Sequence, residues 1–205
     1  MDVPVREQQR RETWRAIQAA AIDLVGRRGM AAVTVDDVAA AAGVSRRTFF
    51  NYFPTKAAAL FDPDPDDADR LRQLLDAADG AAGLWPALRS VCVAFARGHE
   101  PVLAVRWRLV TEDPELDAYH RTAHLHVGRA IARWTSAQLP GDPLAARLLA
   151  ETATAVLMTA FTTWAPDEDL ALFPTLVARG FDVLTVAETA RAPARREATH
   201  SGTGR

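Results

Sequence analysis

The sequence predicts an all-α protein: an N-terminal three-helix helix-turn-helix unit followed by a larger helical unit, with about nine to ten helices in total. Three observations carry this. Apolar residues recur at three- and four-residue spacing along most of the chain, and no stretch alternates with the period of two that a half-buried strand needs. Breakers at Gly80, Gly83, Pro114, Pro140, Gly141, Pro143 and Pro166 separate those patterns. Two short helical stretches near the N-terminus flank Gly43, whose permissive backbone suits a sharp helix-to-helix turn.

Residues 1–10 carry no apolar period and are expected to form a flexible arm. From Arg11 to Gly29, Trp14, Ile17, Ala21, Leu24 and Val25 make one helical stripe. Arg27 and Arg28 suit the negative end of that helix, and Gly29 ends it. Thr34 caps the second helix, and Asp36 and Asp37 fall in its positive first turn. Val35, Val38, Ala39 and Ala42 form its inward face. After Gly43, Val44 plugs the turn and Ser45 caps the third helix. Phe49 and Phe53, four apart, anchor that helix, and Pro54 stops it before Thr55 and Lys56 start a fourth. This first unit spans 11–60.

The stretch FDPDPDDAD, 61–69, follows. Pro63 and Pro65 cannot sit inside a helix, so the fourth helix must be short or broken. Its aspartates read as a solvated linker plus a cap for the helix from Arg70, with a divalent-metal site as the minority reading. A loose joint between head and body is expected. Residues 70–190 form the helical body, with patterns from Leu84, Pro101, Glu115, Leu144 and Asp169. Residues 191–205 are polar and are expected to be a disordered tail.

Composition narrows the function classes. At 205 residues the chain can bury a sizeable core, and 49% hydrophobic with 24% charged residues excludes a disordered chain. No apolar run is expected to approach the roughly 20 residues of a bilayer span, and the start MDVPVREQQRRETW has no apolar segment behind its charge. No membrane partner and a cytoplasmic location are therefore expected. Cys92, the single cysteine, lies in the apolar run SVCVAF and reads as a buried hydrophobe. The net charge of -2 excludes non-specific coating of nucleic acid, but its distribution is uneven. Residues 1–56 hold nine basic and six acidic side chains, the remainder 15 and 20. A basic head on an acidic body can meet phosphate locally.

The segment from Arg11 to Leu60 resembles the TetR family of bacterial transcriptional regulators (TetR/AcrR type). The resemblance is carried by the amphipathic first helix, Gly29, TVDDVAAAAGVS from Thr34, TFFNYFPTK from Thr48, and Leu60. The body matches that family's ligand-binding and dimerisation domain by layout. The resemblance implies a homodimer that sets two recognition helices in successive major grooves of a pseudo-palindromic, double-stranded DNA operator. It also implies repression relieved when a small-molecule effector binds the body.

Ser45 to Tyr52 is then the recognition helix. With Phe49 and Phe53 inward, Arg46, Arg47, Thr48, Asn51 and Tyr52 face the duplex. One of Arg46 and Arg47 is expected on a guanine edge, where a bidentate pair discriminates by roughly 1–3 kcal/mol, and the other on phosphate. Thr48 suits phosphate or a thymine methyl group, Asn51 an adenine or phosphate, and Tyr52 a phosphate. Thr34 and Lys56, the one lysine of the chain, are expected to clamp the flanking backbone. Phe50 departs from the family pattern, where tyrosine is frequent, and is expected to pack on sugar or on the first helix.

In the body, Leu149, Thr152, Val156, Ala160 and Thr163 on one helix and Leu176, Arg179 and Val183 on the next are candidates for a subunit interface. An internal helix pair is the competing reading. Phe95, Trp107, Trp134, Met158 and Phe161 are candidates for an apolar pocket, with Arg106 as an anion anchor. His120 and His124 have a zinc-compatible spacing but read as a surface pair. No metal and no cofactor are expected, although a metal-responsive regulator of the same fold is an alternative. An all-helical enzyme is disfavoured, because no phosphate-cradling glycine loop, nucleophile elbow or HExxH motif occurs.

Overall fold

The computed structural model of the protein describes residues 5–78, 83–167 and 169–189. Every regular element among them is helical: α1 (Val5–Arg28), α2 (Val35–Ala41), α3 (Arg46–Tyr52), α4 (Lys56–Phe61), α5 (Asp67–Asp76), α6 (Leu84–Ala96), α7 (Glu100–Glu112), α8 (Pro114–Ala123), α9 (Leu125–Gln138), α10 (Pro143–Thr163) and α11 (Leu172–Thr189). The expected tail at 191–205 lies outside the described residues, as does Gly80. The expected run from Glu115 to Leu139 divides at His124, which ends α8 and opens α9.

Two cores organise these helices. The first gathers Trp14, Ile17, Leu24, Val38, Phe49, Phe53, Leu60 and Phe61 from α1 to α4. Leu109 of α7 is buried in the same core, and Val105, Leu116 and Tyr119 pack against it. The second joins α5, α6, α9, α10 and α11 around Leu88, Ile131, Trp164, Val177 and Phe181. Cys92 is buried there, and desolvation pushes its thiol up to about 12, which leaves it inert as expected.

Three expectations are corrected. The arm at 1–10 is helical from Val5 onward. Its polar turns are laced by four-residue pairs, Gln8 to Glu12 at 3.1 Å and Arg11 to Glu7 at 3.3 Å, a stabilisation that apolar periodicity does not register. The linker, moreover, is not loose. Arg15 makes a two-pronged bond to Asp64 (2.7 and 2.9 Å), and both Arg11 and Arg15 bond Asp66. Gln18 donates to the Asp62 carbonyl at 2.9 Å and the Tyr119 hydroxyl to the Asp62 carboxylate at 2.9 Å. The two prolines fix the backbone of this stretch, and Asp64 and Asp66 face α1 while Asp62 faces Tyr119. The third correction concerns α10, which is long and apolar enough by length and composition to cross a membrane. Its stripe Ala146, Ala150, Ala153, Ala160 and Phe161 is instead buried in this fold.

Close packing of α10 on α11 explains Gly180. A Cβ there would lie 2.7 Å from Cγ1 of Val156, so glycine is what lets the two helices approach.

Candidate nucleic-acid interface

The α2–turn–α3 unit is set by its caps. Thr34 Oγ1 accepts from the Asp37 N–H at 3.1 Å while the Asp37 carboxylate accepts from the Thr34 N–H at 2.8 Å, a reciprocal capping box. These bonds hold the Asp37 carboxyl below its ordinary range. Gly43 takes φ 68°, the left-handed conformation that closes the turn cheaply only for glycine. Ser45 caps α3 by accepting from the Thr48 N–H at 3.0 Å, and its hydroxyl also pairs with that of Thr48 at 2.8 Å. Phe49 and Phe53 are fully buried, Phe53 against Trp14 at 5.2 Å between ring centres. Burying that stripe turns Arg46, Arg47, Phe50 and Asn51 outward, with Thr48 and Tyr52 half-buried beside them.

The two arginines are not equivalent. Arg46 donates to Asp36 of α2 at 2.8 Å, and its guanidinium lies 5.3 Å over the Phe50 ring. Arg47 has no partner among the described residues and projects with all five donors available. Phe50, 44% exposed, packs edge-on against Phe49 and beneath Arg46 rather than against α1.

Lys56 is placed differently from expectation. Its ammonium turns inward and donates to the carbonyls of Met30 and Val33, each at 2.5 Å. Desolvation lowers its pKa. It ties the α1–α2 connector to the start of α4 instead of standing ready for phosphate. Thr34 is exposed, but its N–H and hydroxyl are both committed to Asp37.

Behind the head, a cavity of about 100 Å³ sits between α5, α6, α7, α8, α9, α10 and α11. Of the pocket candidates, Phe95, Arg106, Met158 and Phe161 line it, while Trp107 and Trp134 pack in the body core. Sequence reasoning missed the histidines. His120 is 3% exposed, stacked on Phe161 at 4.7 Å and edge-on to Phe61 of α4 at 5.8 Å, and His124 is half-buried, so the two are not the expected surface pair. His120, His124, His126 and His99 all line the cavity. His120 escaped because Phe61 of α4 and Phe161 of α10, both far along the chain, cover it.

Arg106 joins cavity to head. Its Nε donates to the Leu60 carbonyl at 2.7 Å and its Nη2 to the Asp62 carbonyl at 3.1 Å, closing the C-terminal end of α4. Its Nη1 donates to Nε2 of His124 at 3.3 Å, and His124 Nδ1 donates to the His120 carbonyl at 2.8 Å. Burial lowers Arg106 only to about 10, so it stays charged. Burial and that charge depress His120 to about 4, and burial, His120 and Arg106 depress His124 to about 3. Both imidazoles are neutral at pH 7. Both nitrogens of His124 are thereby occupied, beside a cation, which leaves it no lone pair for a metal. Among the described residues no group of three or more His, Cys, Asp or Glu is placed to hold a metal ion.

The interface candidates divide. Val156 and Ala160, each 6% exposed, are buried inside the subunit and leave the interface set; Gly180 brings α11 against Val156. Leu149, Thr152 and Leu176 are half-buried, while Thr163, Arg179 and Val183 are exposed. Leu148 of α10, at 57% exposure, and Val183 of α11, at 58%, lie on an outward apolar face, which Leu144, at 69%, extends beyond the candidates.

Comparison with known proteins agrees with this division into head and body. Residues 17–62 match the family model described as bacterial regulatory proteins, tetR family, and residues 82–188 match the one described as the MftR C-terminal domain. The chain is 32% identical over 173 residues to a Mycobacterium tuberculosis protein assigned as the mycofactocin biosynthesis transcriptional regulator MftR, covering 82% of this chain and 87% of that one. The transcriptional regulator EthR of the same species is 51% identical over 45 residues, 22% of this chain and 21% of that one. Among solved structures, Thermus thermophilus FadR, a TetR-family repressor in complex with lauroyl-CoA, aligns with a TM-score of 0.54 at 25% identity, covering 93% of this chain and all of that one. A regulator from Aquifex aeolicus aligns at 0.56 and 13% identity, over 84% of this chain and 99% of that one, and shares the fold.

Proposed function

The chain belongs to the TetR family of transcriptional regulators, and on that premise we propose that it is a cytoplasmic, homodimeric repressor released from its operator by a small effector. The observation that carries the reading is α3: a capped, solvent-facing helix with Arg47 unpaired among the described residues and Arg46 braced by Asp36 and Phe50. Arg47 reads a guanine edge, while Arg46, already leaning on α2, meets phosphate, with Thr48, Asn51 and Tyr52 beside it. Lys56 supports the head from inside.

The outward apolar face of α10 and α11 supports a second copy as its occupant, because a two-fold pairing there would carry two α3 helices onto one duplex. Release is then a matter of Arg106. An effector in the cavity that perturbs His124 or Arg106 perturbs the bonds that close α4, and α4 is the only helix between α3 and the linker. FadR holds lauroyl-CoA; the cavity here, about 100 Å³, is far below the ~300–1,000 Å³ of pockets for such large ligands and would have to open for one.

The test is selection of bound duplexes from random DNA with the full chain, followed by titration of the selected operator. Arg47→Ala is expected to weaken binding by roughly 1–3 kcal/mol while the circular dichroism melt and the dimer mass persist. Unchanged affinity would refute the assignment of Arg47, and failure to select any common sequence would refute the reading as a whole.

A further inference from the structure

An effector must reach the cavity before it can act, and the way in runs past one side chain; this inference rests on the reading of the cavity as the effector site. On the outer side of α5 and α9 lies an open groove of about 530 Å³, walled by Asp69 and Leu75 of α5 and Ala130 and Trp134 of α9 among others. His126 is the one described residue that lines both the groove and the cavity. Along α5, Asp67 lines the cavity and its neighbours Ala68 and Asp69 line the groove. The two spaces therefore meet at His126.

That imidazole is lightly held. Its Nδ1 donates to the Ala123 carbonyl at 3.1 Å, its one hydrogen bond among the described residues. Its Nε2 is buried without a partner, a costly state that native structures seldom keep. Rotation of the ring into the groove brings Nε2 to water, which offsets the bond given up at Nδ1. The backbone beneath it belongs to the first turn of α9, which opens at His124 with no side-chain cap, and an uncapped end opens locally at low cost. Volume points the same way. About 100 Å³ is of the order of the engineered ~150 Å³ cavity that admits benzene, room for one ring. Joined to the groove, it enters the ~300–1,000 Å³ range of ligand pockets. Both chambers are walled chiefly by carbon, with Leu103, Leu157 and Phe161 inside and Leu75, Ala130 and Trp134 outside. The polar neighbours are engaged elsewhere. Arg106 closes α4, the Thr154 hydroxyl donates to the Ala150 carbonyl at 2.8 Å, and Arg72 on the groove rim pairs with Asp69 at 2.8 Å and Asp76 at 3.9 Å.

We propose that groove and cavity are the outer and inner chambers of one effector site, that His126 is the door between them, and that the occupant is an elongated, uncharged, apolar molecule. One ring of it fills the cavity and the remainder lies in the groove beside Trp134. Displacing His126 shifts the α8–α9 junction two residues earlier, where Nε2 of His124 accepts from Arg106 at 3.3 Å, and Arg106 closes α4. Entry and signal thus pass through the same turn of chain.

The experiment mixes the full chain at pH 8, in stopped flow, with N-phenyl-1-naphthylamine, an uncharged elongated aromatic whose fluorescence rises in apolar surroundings. Binding is expected to saturate, and its rate to level off with probe concentration because opening at His126 limits entry. His126→Ala, which removes the door, should raise that limiting rate by about tenfold, and His126→Trp, which widens it, should lower the rate by about tenfold. Ala130→Trp fills the groove and should weaken the probe by about tenfold, while toluene, small enough for the cavity alone, keeps its calorimetric affinity within about threefold. Circular dichroism checks that each variant folds. No saturable binding, a limiting rate unmoved by His126→Ala, or an affinity unmoved by Ala130→Trp would each overturn the proposal. So would tighter binding of the 8-sulfonate of the same probe that is lost in Arg133→Ala, since the groove would then be an anion site. These measurements involve no DNA, so the two readings fail separately. Probe entry of the expected kind that leaves operator affinity unchanged defeats the effector reading alone, and operator binding by a chain that takes up no probe defeats this one alone.

Discussion

Acidification is expected to loosen this protein well before its carboxylates titrate. The perturbation is a shift from pH 8 to pH 5, and the groups that respond are His120 and His124. Their folded pKa values, about 4 and about 3, lie below the ordinary 6.5 because burial and the Arg106 charge disfavour the imidazolium. The sign follows from proton uptake. At pH 5 the unfolded chain protonates both rings and the folded chain neither, so stability is fully present above pH 6.5 and declines as the pH falls toward 4 and then 3. One histidine held neutral from 6.5 down to pH 5 costs about 2 kcal/mol. The two rings lie 4.3 Å apart and titrate as a pair, so the total is about 2–4 kcal/mol. For a chain of this length that lowers the melting temperature by roughly 4–16 °C. Asp62, whose carboxyl burial raises, acts in the opposite sense as the pH falls through its own range. Calorimetric melts at the two pH values, with His120→Phe as comparison, measure the effect. The variant should lose about half of the pH dependence. A melting temperature that stays level between pH 8 and pH 5 would refute the reasoning.

Gly180→Ala should cost about 1–3 kcal/mol in urea denaturation by pushing a Cβ into Val156, and adding Val156→Ala should recover part of the loss. Arg106→Met removes the donors from the Leu60 and Asp62 carbonyls and should lower stability by about 2–4 kcal/mol, with faster amide exchange in α4 than in α10 as its local signature. Arg46→Ala should weaken operator and random DNA alike and reduce the slope of log affinity against log salt by about one, whereas a base-reading arginine there would give a sequence-selective loss.

The head was legible in the sequence because its signals are local. Thr34, Gly43, Ser45 and the Phe49–Phe53 pair each act within four residues, and caps, turn and stripe fell where they were expected. What escaped depends on distance along the chain. Lys56 looked like a phosphate clamp because sequence reasoning could not place the Met30 and Val33 carbonyls, more than twenty positions earlier, within its reach. Asp64 and Asp66 of the linker looked solvated for the same reason, since their partners lie about fifty residues upstream on α1. His120 and His124 looked superficial because the face of α8 that carries them is covered only when α4 and α10 close on it. Arg106 lines the cavity, where it was expected as an anion anchor, but its grip on α4 was not visible. The interface stripe failed at Val156 and Ala160 because two faces of α10 are apolar and periodicity cannot rank them.

The head core does not end at the linker. Leu109 is buried among the residues of α1 to α4, Val105, Leu116 and Tyr119 pack against them, and Arg11 and Arg15 fasten the far side. Cutting between α4 and α5 would therefore sever one hydrophobic core rather than separate two. The reading head is not a detachable cassette. A chimaera that exchanges operator specificity with a relative by swapping the first sixty residues would inherit mismatched packing at α7 and α8. Transplanting the outward side chains of α3 alone leaves that seam intact, and new specificities in this scaffold are reached more readily by that smaller exchange.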